Sequence, residues 1–540
     1  MAYPTKTLPL SPTHQLRLPD ALIIDGPGLA YYVYKAMQTS AVPGSSILSS
    51  PEYQACGDRT VVFLDDMERA GMRVEVIYFD GVLPSHKLET RLSRTQRHVD
   101  QLRKALLSSV KDARLPDAPF LVPSAIGALL ESKYASRVRV VPAEADDCCA
   151  LHARSLDAKG VSRPTILTND SDMFVLDCGK STQIMLLASL TRKTTAAGFQ
   201  YSGEAYRPRE IARSAGLCDL KQAAYYMELD RNLTFDAAVA KLRRLGGKKP
   251  DGYASFLEKF EMSVVDMSHL SPAVVACLQR MDPRVAEVAH QALLPDTRGE
   301  LLIINAFLPL LHEDATRFSV WKVGHDIRNL AYRIVVSQGS SKCSVHEHTR
   351  RGAGVGYSAY ALTAHWTQEV SEVLAWLVTS MPQAPSGASL AQRWHYIGTV
   401  MALQFYNEYY TEPMTYARVL KVLMHGEPDD WLDAHIAAMV QAALYSFRML
   451  QQLLNLHDAQ RGVSGDSARL HDLLNDMPGI AGLFTRSDAN TVSMWEAIAE
   501  TLALSDETLE SSGSEDTNDS DDDAEDVRPM GSNPFSMLPR

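Results

Sequence analysis

Val76-Ile-Tyr-Phe-Asp80-Gly81 is an apolar run closed by an acid and a glycine, and Ala21-Leu-Ile-Ile-Asp25-Gly26 is built the same way. Two further runs behave alike. Arg139-Val-Val-Pro142-Ala143 leads into Glu144 at the head of a helical pattern, and Thr165-Ile-Leu-Thr-Asn169 leads into Asp170 and Asp172. Strands are therefore expected at Ala21–Ile24, Val74–Phe79, Val138–Val141 and Thr165–Thr168, with another within Gln183–Leu190. Helical spacing fills the intervals at Leu29–Met37, Tyr53–Ala70 and Ala145–Asp157. Strands alternating with helices of about ten to fifteen residues predict a mostly parallel, three-layer α/β sheet. Ligands of such sheets bind beyond the carboxyl ends of the strands, which is where all four acids or acid pairs fall.

Each acid alone has an ordinary explanation. Asp-Gly is a common turn dipeptide, Asp170 fits a helix cap, and Glu144 is a first-turn acid favoured by the helix dipole. Four strand ends that each deliver a carboxylate are harder to attribute to turns. Acids converging without basic partners repel one another unless cations neutralise them. Hard oxygen ligands select Mg²⁺, with Mn²⁺ as a substitute. Two such ions about 4 Å apart can activate water and stabilise the leaving oxygen of a phosphodiester.

Just beyond Asp80, His86–Lys104 carries Lys87, Arg91, Arg94, Arg97, Arg103 and Lys104 against Glu89 and Asp100. Lys87, Arg91 and Arg94 recur at helical spacing and form one basic stripe. A solvated helix face is the ordinary reading of such a stripe. Beside the acids, phosphate contact is the stronger one.

The motifs Ile24-Asp-Gly26, Phe79-Asp-Gly-Val-Leu-Pro-Ser-His-Lys87 with Arg91 and Arg94, Ala143-Glu-Ala-Asp-Asp147 and Thr168-Asn-Asp-Ser-Asp172, in that order, resemble the flap endonuclease (XPG) superfamily and its PIN-like fold, above all its Asteroid-type members. The resemblance covers residues 20 to 235. It implies a metal site made by Asp25, Asp80, Glu144, Asp170 and Asp172, with Asp230 at a helix end as the remaining acid. It also implies that Lys87 and Arg94 reach the scissile phosphate. The chain departs from the family pattern at three places. Met1-Ala-Tyr-Pro replaces the usual Met-Gly start, and Pro142 stands where many relatives carry glutamate. The stretch after Asp230 lacks the Gly-x-Gly of the helix-hairpin-helix that grips duplex DNA. The resemblance thus implies a kept metal site beside a lost or remodelled duplex clamp.

At 540 residues the chain should form more than one domain. We expect an irregular arm over 1–20, the PIN-like α/β domain over 21–235, a mainly helical domain over 236–505 and a disordered acidic tail over 506–540. Within the helical part, Trp431–Leu454 has helical spacing, and Ser337–Tyr357 has the Gly- and Ser-rich texture of an exposed loop. The net charge of −12 is concentrated in the tail, which has eleven acids and no base between Asp506 and Val527. The rest is near neutral, so any nucleic-acid binding must be local. The longest apolar run, Leu301–Leu311, is too short to span a bilayer. The seven cysteines show no CxxC spacing; with no secretory signal, this suits a reducing, intracellular setting. Cys343, His346 and His348 lack the fourth ligand and regular spacing of a zinc site.

Two functions are consistent with this reading. One is a Mg²⁺-dependent nuclease acting on DNA or RNA with single-stranded ends or branches, attack coming from a metal-bound water. The other is a weakly active or inactive PIN-like scaffold that binds RNA, or protein through the helical part or the tail.

Overall fold

The computed structural model describes residues 21–38, 48, 52–107, 114–161, 163–195, 198–230, 232–245, 250–262, 265–293, 302–336, 343–363, 365–484 and 492–503. The expected arm and acidic tail lie outside the described residues. The chain divides into two compact units. One comprises residues 1–41, 56–89 and 121–287, the other 42–55, 90–120 and 288–540.

The elements of the first half run β1 (Ala21–Asp25), α1 (Gly26–Gln38), α2 (Tyr53–Arg69), β2 (Val74–Asp80), α3 (Leu88–Leu107), α4 (Leu121–Leu130), β3 (Val138–Val141), α5 (Ala145–Ala158), β4 (Pro164–Thr168), β5 (Gln183–Leu186), β6 (Thr191–Thr195), β7 (Gly198–Ser202), β8 (Ala205–Tyr206), α6 (Pro208–Ser214), α7 (Lys221–Leu229), α8 (Phe235–Arg244), α9 (Tyr253–Glu258), α10 (Pro272–Leu278) and α11 (Pro283–Leu293). The main sheet has the order β3-β2-β1-β4-β5-β8. Its first five strands are parallel, and only β8 is antiparallel. This is the mostly parallel sheet with flanking helices that the alternation predicts. Gln183–Leu190 proves to be a strand only to Leu186, after which Leu187–Ser189 makes a short 3-10 turn.

β1 is buried along its whole length because it is central and covered on both faces. Ala21 and Ile23 belong to a buried cluster with Cys149, Ala150 and Ala153 of α5 that extends to residues of α6, α7 and α8. By alternation Leu22 and Ile24 point to the opposite face. From β1 the chain moves outward to β2 and β3, then returns to place β4 on the other side of β1. The carboxyl ends of β1 and β4 thus form the switch point of the sheet, where a crevice opens in folds of this kind.

The second unit holds β9 (Leu302–Phe307), α12 (His325–Val336), β10 (Cys343–Arg351), β11 (Gly354–Leu362), α13 (Thr367–Ser380), α14 (Leu390–Tyr409), α15 (Tyr416–Leu423), α16 (Trp431–Arg461), α17 (Asp466–Asn475), α18 (Ile480–Leu483) and α19 (Val492–Leu502). It is mainly helical, as expected. Its long central α16 is apolar on most sides and buried over nearly its whole length. The loop expected at Ser337–Tyr357 is a misreading over its described part, where β10 and β11 form a hairpin and β9 joins β10 in parallel. The strand signal is hidden because charged residues occupy buried positions. Glu347 is held by Arg328 at 2.7 Å, and Arg350 by Glu313 at 2.8 Å. Among the described residues no helix is long and apolar enough to cross a membrane.

Candidate carboxylate site

Asp25 ends β1, and two donors fix its carboxylate. Gly28 N–H, in the first turn of α1, donates to Oδ1 at 3.1 Å, and the Thr168 hydroxyl, at the end of β4, donates to Oδ2 at 2.7 Å. Thr168 Oγ1 also accepts the Asp170 N–H at 2.9 Å, so one hydroxyl ties the ends of the two central strands together. The Gly-Pro-Gly after Asp25 has a steric reason. A Cβ at Gly28 would overlap the Asp25 carboxylate, and one at Gly26 would overlap the Phe79 ring.

Asp80 ends β2 and accepts the Ala145 N–H at the start of α5, at 2.7 Å. Gly81 follows because a Cβ there would lie 2.5 Å from the Val141 carbonyl oxygen. Glu144 is the N-cap of α5, in extended conformation, and pairs with Lys87 Nζ at 2.6 Å. Asp146 follows in the first turn, and its Oδ1 is buried with no hydrogen-bond partner. Asp170 caps the 3-10 turn Ser171–Phe174 by accepting the Asp172 N–H at 2.9 Å. The acids grade from buried Asp25 through half-buried Asp80, Glu144 and Asp146 to exposed Asp170 and Asp172.

Electrostatics shows that these acids share one region. Burial pushes the Asp25 carboxyl up to about 6 against its two hydrogen bonds, with the charges of Asp80 and Asp170 adding to the rise. Asp80 is also pushed up to about 6, first by burial, with Glu144 and Glu287 adding charge. Asp146 is held well above the usual carboxylate range by burial, then by Asp25, Asp170 and Asp80. Desolvation of the Asp172 carboxyl, followed by the Asp170 charge, lifts it to about 6 although the residue as a whole is exposed. Lys87 is the cation that enters these balances. Its own burial opposes its charge, but Glu144, Asp146 and Asp80 outweigh that and raise its pKa.

The structure therefore brings together Asp25, Asp80, Glu144, Asp170, Asp172 and Lys87, all expected from the sequence. Arg94 lies exposed on the part of α3 that belongs to the second unit. Asp230 is the exposed C-cap of α7, with Oδ1 accepting the Asn232 N–H at 2.9 Å. On this helix it is Glu228, paired with Lys259 at 2.5 Å, whose charge reaches Asp172. Sequence reasoning left Asp146, Glu228, Glu287 and Thr168 unassigned. Asp146 had a signal in Ala143-Glu-Ala-Asp-Asp147, but residues two apart do not share a helix face. They share a site here because Glu144 is a cap with extended backbone.

The donor set suits a hard divalent cation: carboxylate oxygens dominate, Lys87 is the one nearby cation in these balances, and a buried acceptor on Asp146 has no partner. Among the described residues, no three His, Cys, Asp or Glu side chains close into a cation cage.

Residues 117–359 match a family model described as XPG domain containing. That span includes Glu144, Asp146, Asp170, Asp172 and Asp230, and begins after Asp25, Asp80, Lys87 and Arg94. Asteroid homolog 1 of Schizosaccharomyces pombe is 29% identical over 157 residues, which are 29% of this chain and 25% of that protein. The chain thus matches about a quarter of that relative's length. No solved structure matches.

Proposed function

We propose, taking the chain as the Asteroid-type protein of the XPG superfamily that the family match and the fission-yeast relative support, that it is a Mg²⁺-dependent nuclease. The observation that carries the reading is the gathering of Asp25, Asp80, Asp146 and Asp170 at the switch point of a parallel sheet, with one buried carboxylate oxygen unsatisfied. Asp25, Asp80, Asp146, Asp170 and Asp172 would hold the cation. Bound there, Mg²⁺ or Mn²⁺ supplies Lewis acidity at a phosphodiester oxygen and offsets the crowded negative charge.

The chain's own groups do the rest. Gly28 and Thr168 hold Asp25 in one orientation, and Ala145 does the same for Asp80, so these carboxylates need little rearrangement to act as ligands. Lys87 lies between the acids and the start of α3, where its ammonium can exchange Glu144 for a non-bridging phosphate oxygen. Arg94 and Asp230 remain candidates for phosphate contact and for the last acid. Single-stranded or branched DNA or RNA is the proposed substrate, since the sequence after Asp230 lacks the duplex-gripping signature.

The test is cleavage of labelled single-stranded, overhang, flap and duplex DNA and RNA with Mg²⁺, Mn²⁺ or EDTA, beside Asp170→Ala/Asp172→Ala and Asp146→Ala. Cleavage that requires the cation and disappears in the variants supports the nuclease. Folded protein that binds these substrates and cuts none refutes it. The scaffold reading draws on the Lys87–Glu144 and Lys259–Glu228 ion pairs, which occupy two acids of the region; it predicts binding indifferent to Asp170 and Asp172.

A further inference from the structure

The three-stranded sheet of the second unit has two different faces. Along β10, Val345 and Glu347 point one way, Glu347 being locked by Arg328 and Tyr332 of α12. Ser344, His346 and His348 point the other way, and their register partners are Ile303, Asn305 and Phe307 on β9 and Ala361, Ala359 and Tyr357 on β11.

On this second face the rings form an ordered array. Phe307 stacks on His348 with centroids 4.2 Å apart, and His346 stacks on Tyr357 at 4.3 Å. His348 and Tyr357 stand 5.4 Å apart and join the two pairs. The Arg91 guanidinium of α3 lies over Phe307 at 5.6 Å. The Phe307–His348 end is buried, whereas Tyr357 is 48% exposed and Ala359 and Ala361 beside it are exposed. An aromatic kept only for the core would be covered. Here a ring held by its neighbour His346 stays about half exposed.

The helix beside this face supplies charge. Gln96 of α3 clamps the hairpin tip, donating to the Ala353 carbonyl at 3.0 Å and accepting the Val355 N–H at 3.1 Å. Arg94, Arg97, Arg103 and Lys104 on the same helix are all exposed. A partly exposed aromatic array beside a helix with exposed cations fits a strand whose bases are unstacked and whose phosphates need neutralising.

We infer that this sheet face binds single-stranded nucleic acid, one base stacking on the Tyr357–His346 pair while the phosphates run along the basic residues of α3. The inference rests on the proposed nuclease reading and deepens it, by naming what takes over substrate grip where a duplex clamp is lacking. Specificity for sequence is not expected, since every base has a π face.

The experiment measures fluorescence anisotropy of labelled single-stranded DNA and RNA of about 12 nucleotides and of a blunt duplex, with full-length protein in EDTA. Tyr357→Ala should weaken single-strand binding roughly tenfold or more, with Tyr357→Phe close to wild type. Arg94→Glu/Arg97→Glu should weaken binding and flatten its salt dependence. Circular dichroism and gel filtration with light scattering establish that each variant is folded and report self-association. Equal affinity of Tyr357→Ala and wild type overturns the proposal, as does a preference for duplex. Failure of wild type to bind single strands, or burial of this face in a dimer of the full chain, also overturns it. Hydrolysis of bis(p-nitrophenyl) phosphate with Mn²⁺, a substrate too small to reach a strand-binding face, tests the carboxylate site separately. It should be unchanged in Tyr357→Ala, so loss of the platform and loss of the nuclease reading are distinguishable.

Discussion

Replacing Asp80 by Asn asks whether the carboxylates are held for a cation. The substitution keeps an oxygen to accept the Ala145 N–H and replaces the other, with its share of the charge, by a neutral NH2. In the cation-free protein that charge is unfavourable, because burial foremost, then Glu144 and Glu287, raise the Asp80 carboxyl from 3.8 to about 6. A rise of roughly two pH units corresponds to about 3 kcal/mol against the ionised form. Since Asp80 keeps some contact with water, the expected gain is about 1–3 kcal/mol. The sign follows from the raised folded value. The native wild type holds its proton longer than the unfolded chain, so its stability falls as pH rises from about 4 to about 6. Asp80→Asn lacks that loss and should melt several degrees higher near pH 7 in EDTA, with the difference gone near pH 4. Mg²⁺ should narrow or reverse the difference, raising the wild-type melting temperature more than that of the variant, which keeps the other four acids. Thermal melts in EDTA and Mg²⁺ at the two pH values read all of this. A variant less stable than wild type in EDTA near neutral pH would refute the reasoning, since the carboxylate would then be serving the fold.

Thr168→Val removes the hydroxyl that serves both Asp25 and Asp170, and should lower stability by about 1–2 kcal/mol and reduce cation-dependent cleavage more than substrate binding; urea titration and single-turnover kinetics check the two parts. Arg328→Met leaves Glu347 charged and buried, with Tyr332 as its remaining partner among those bonds. A loss of about 3–5 kcal/mol is expected by denaturant titration, and a loss under about 1 kcal/mol would mean that the pair is solvated. His435 and His325 are kept neutral by burial, which pushes them down to about 3 and about 4. Unfolding lets them take up protons, so the second unit should lose stability as pH falls from about 6.5 toward 4. Denaturation midpoints followed by tryptophan fluorescence should drop over that interval, and a flat profile would contradict the buried-neutral assignment.

The first unit is legible because its strands obey simple rules. A central parallel strand buried on both faces must be an unbroken apolar run, as Ala21–Ile24 is, and Val76–Phe79 comes close to it. The acids after them are legible because four strand ends each deliver one, although Asp-Gly by itself is a common turn dipeptide. Asp146 was harder, since its membership depends on where the N-cap falls, which spacing alone does not reveal. Glu228 was obscured by the better-placed sequence match of Asp230. In the second unit the strand signal was inverted. Glu347 and Arg350 occupy inward positions that a hydrophobic pattern would assign to solvent, and partners far along the chain make that burial tolerable.

The bond from Thr168 to Asp25 joins residues 143 positions apart. During synthesis β1 leaves the ribosome long before β4 exists to cover its second side. At about 5–20 residues per second the interval is roughly 7–30 seconds. Throughout it Asp25 has neither its hydroxyl donor nor the neighbouring Asp170. A nascent chain therefore carries separate acids and no assembled centre, and competence arrives only when the last central strand docks. On the nuclease reading, an incomplete polypeptide therefore stays inactive until β4 has docked beside β1.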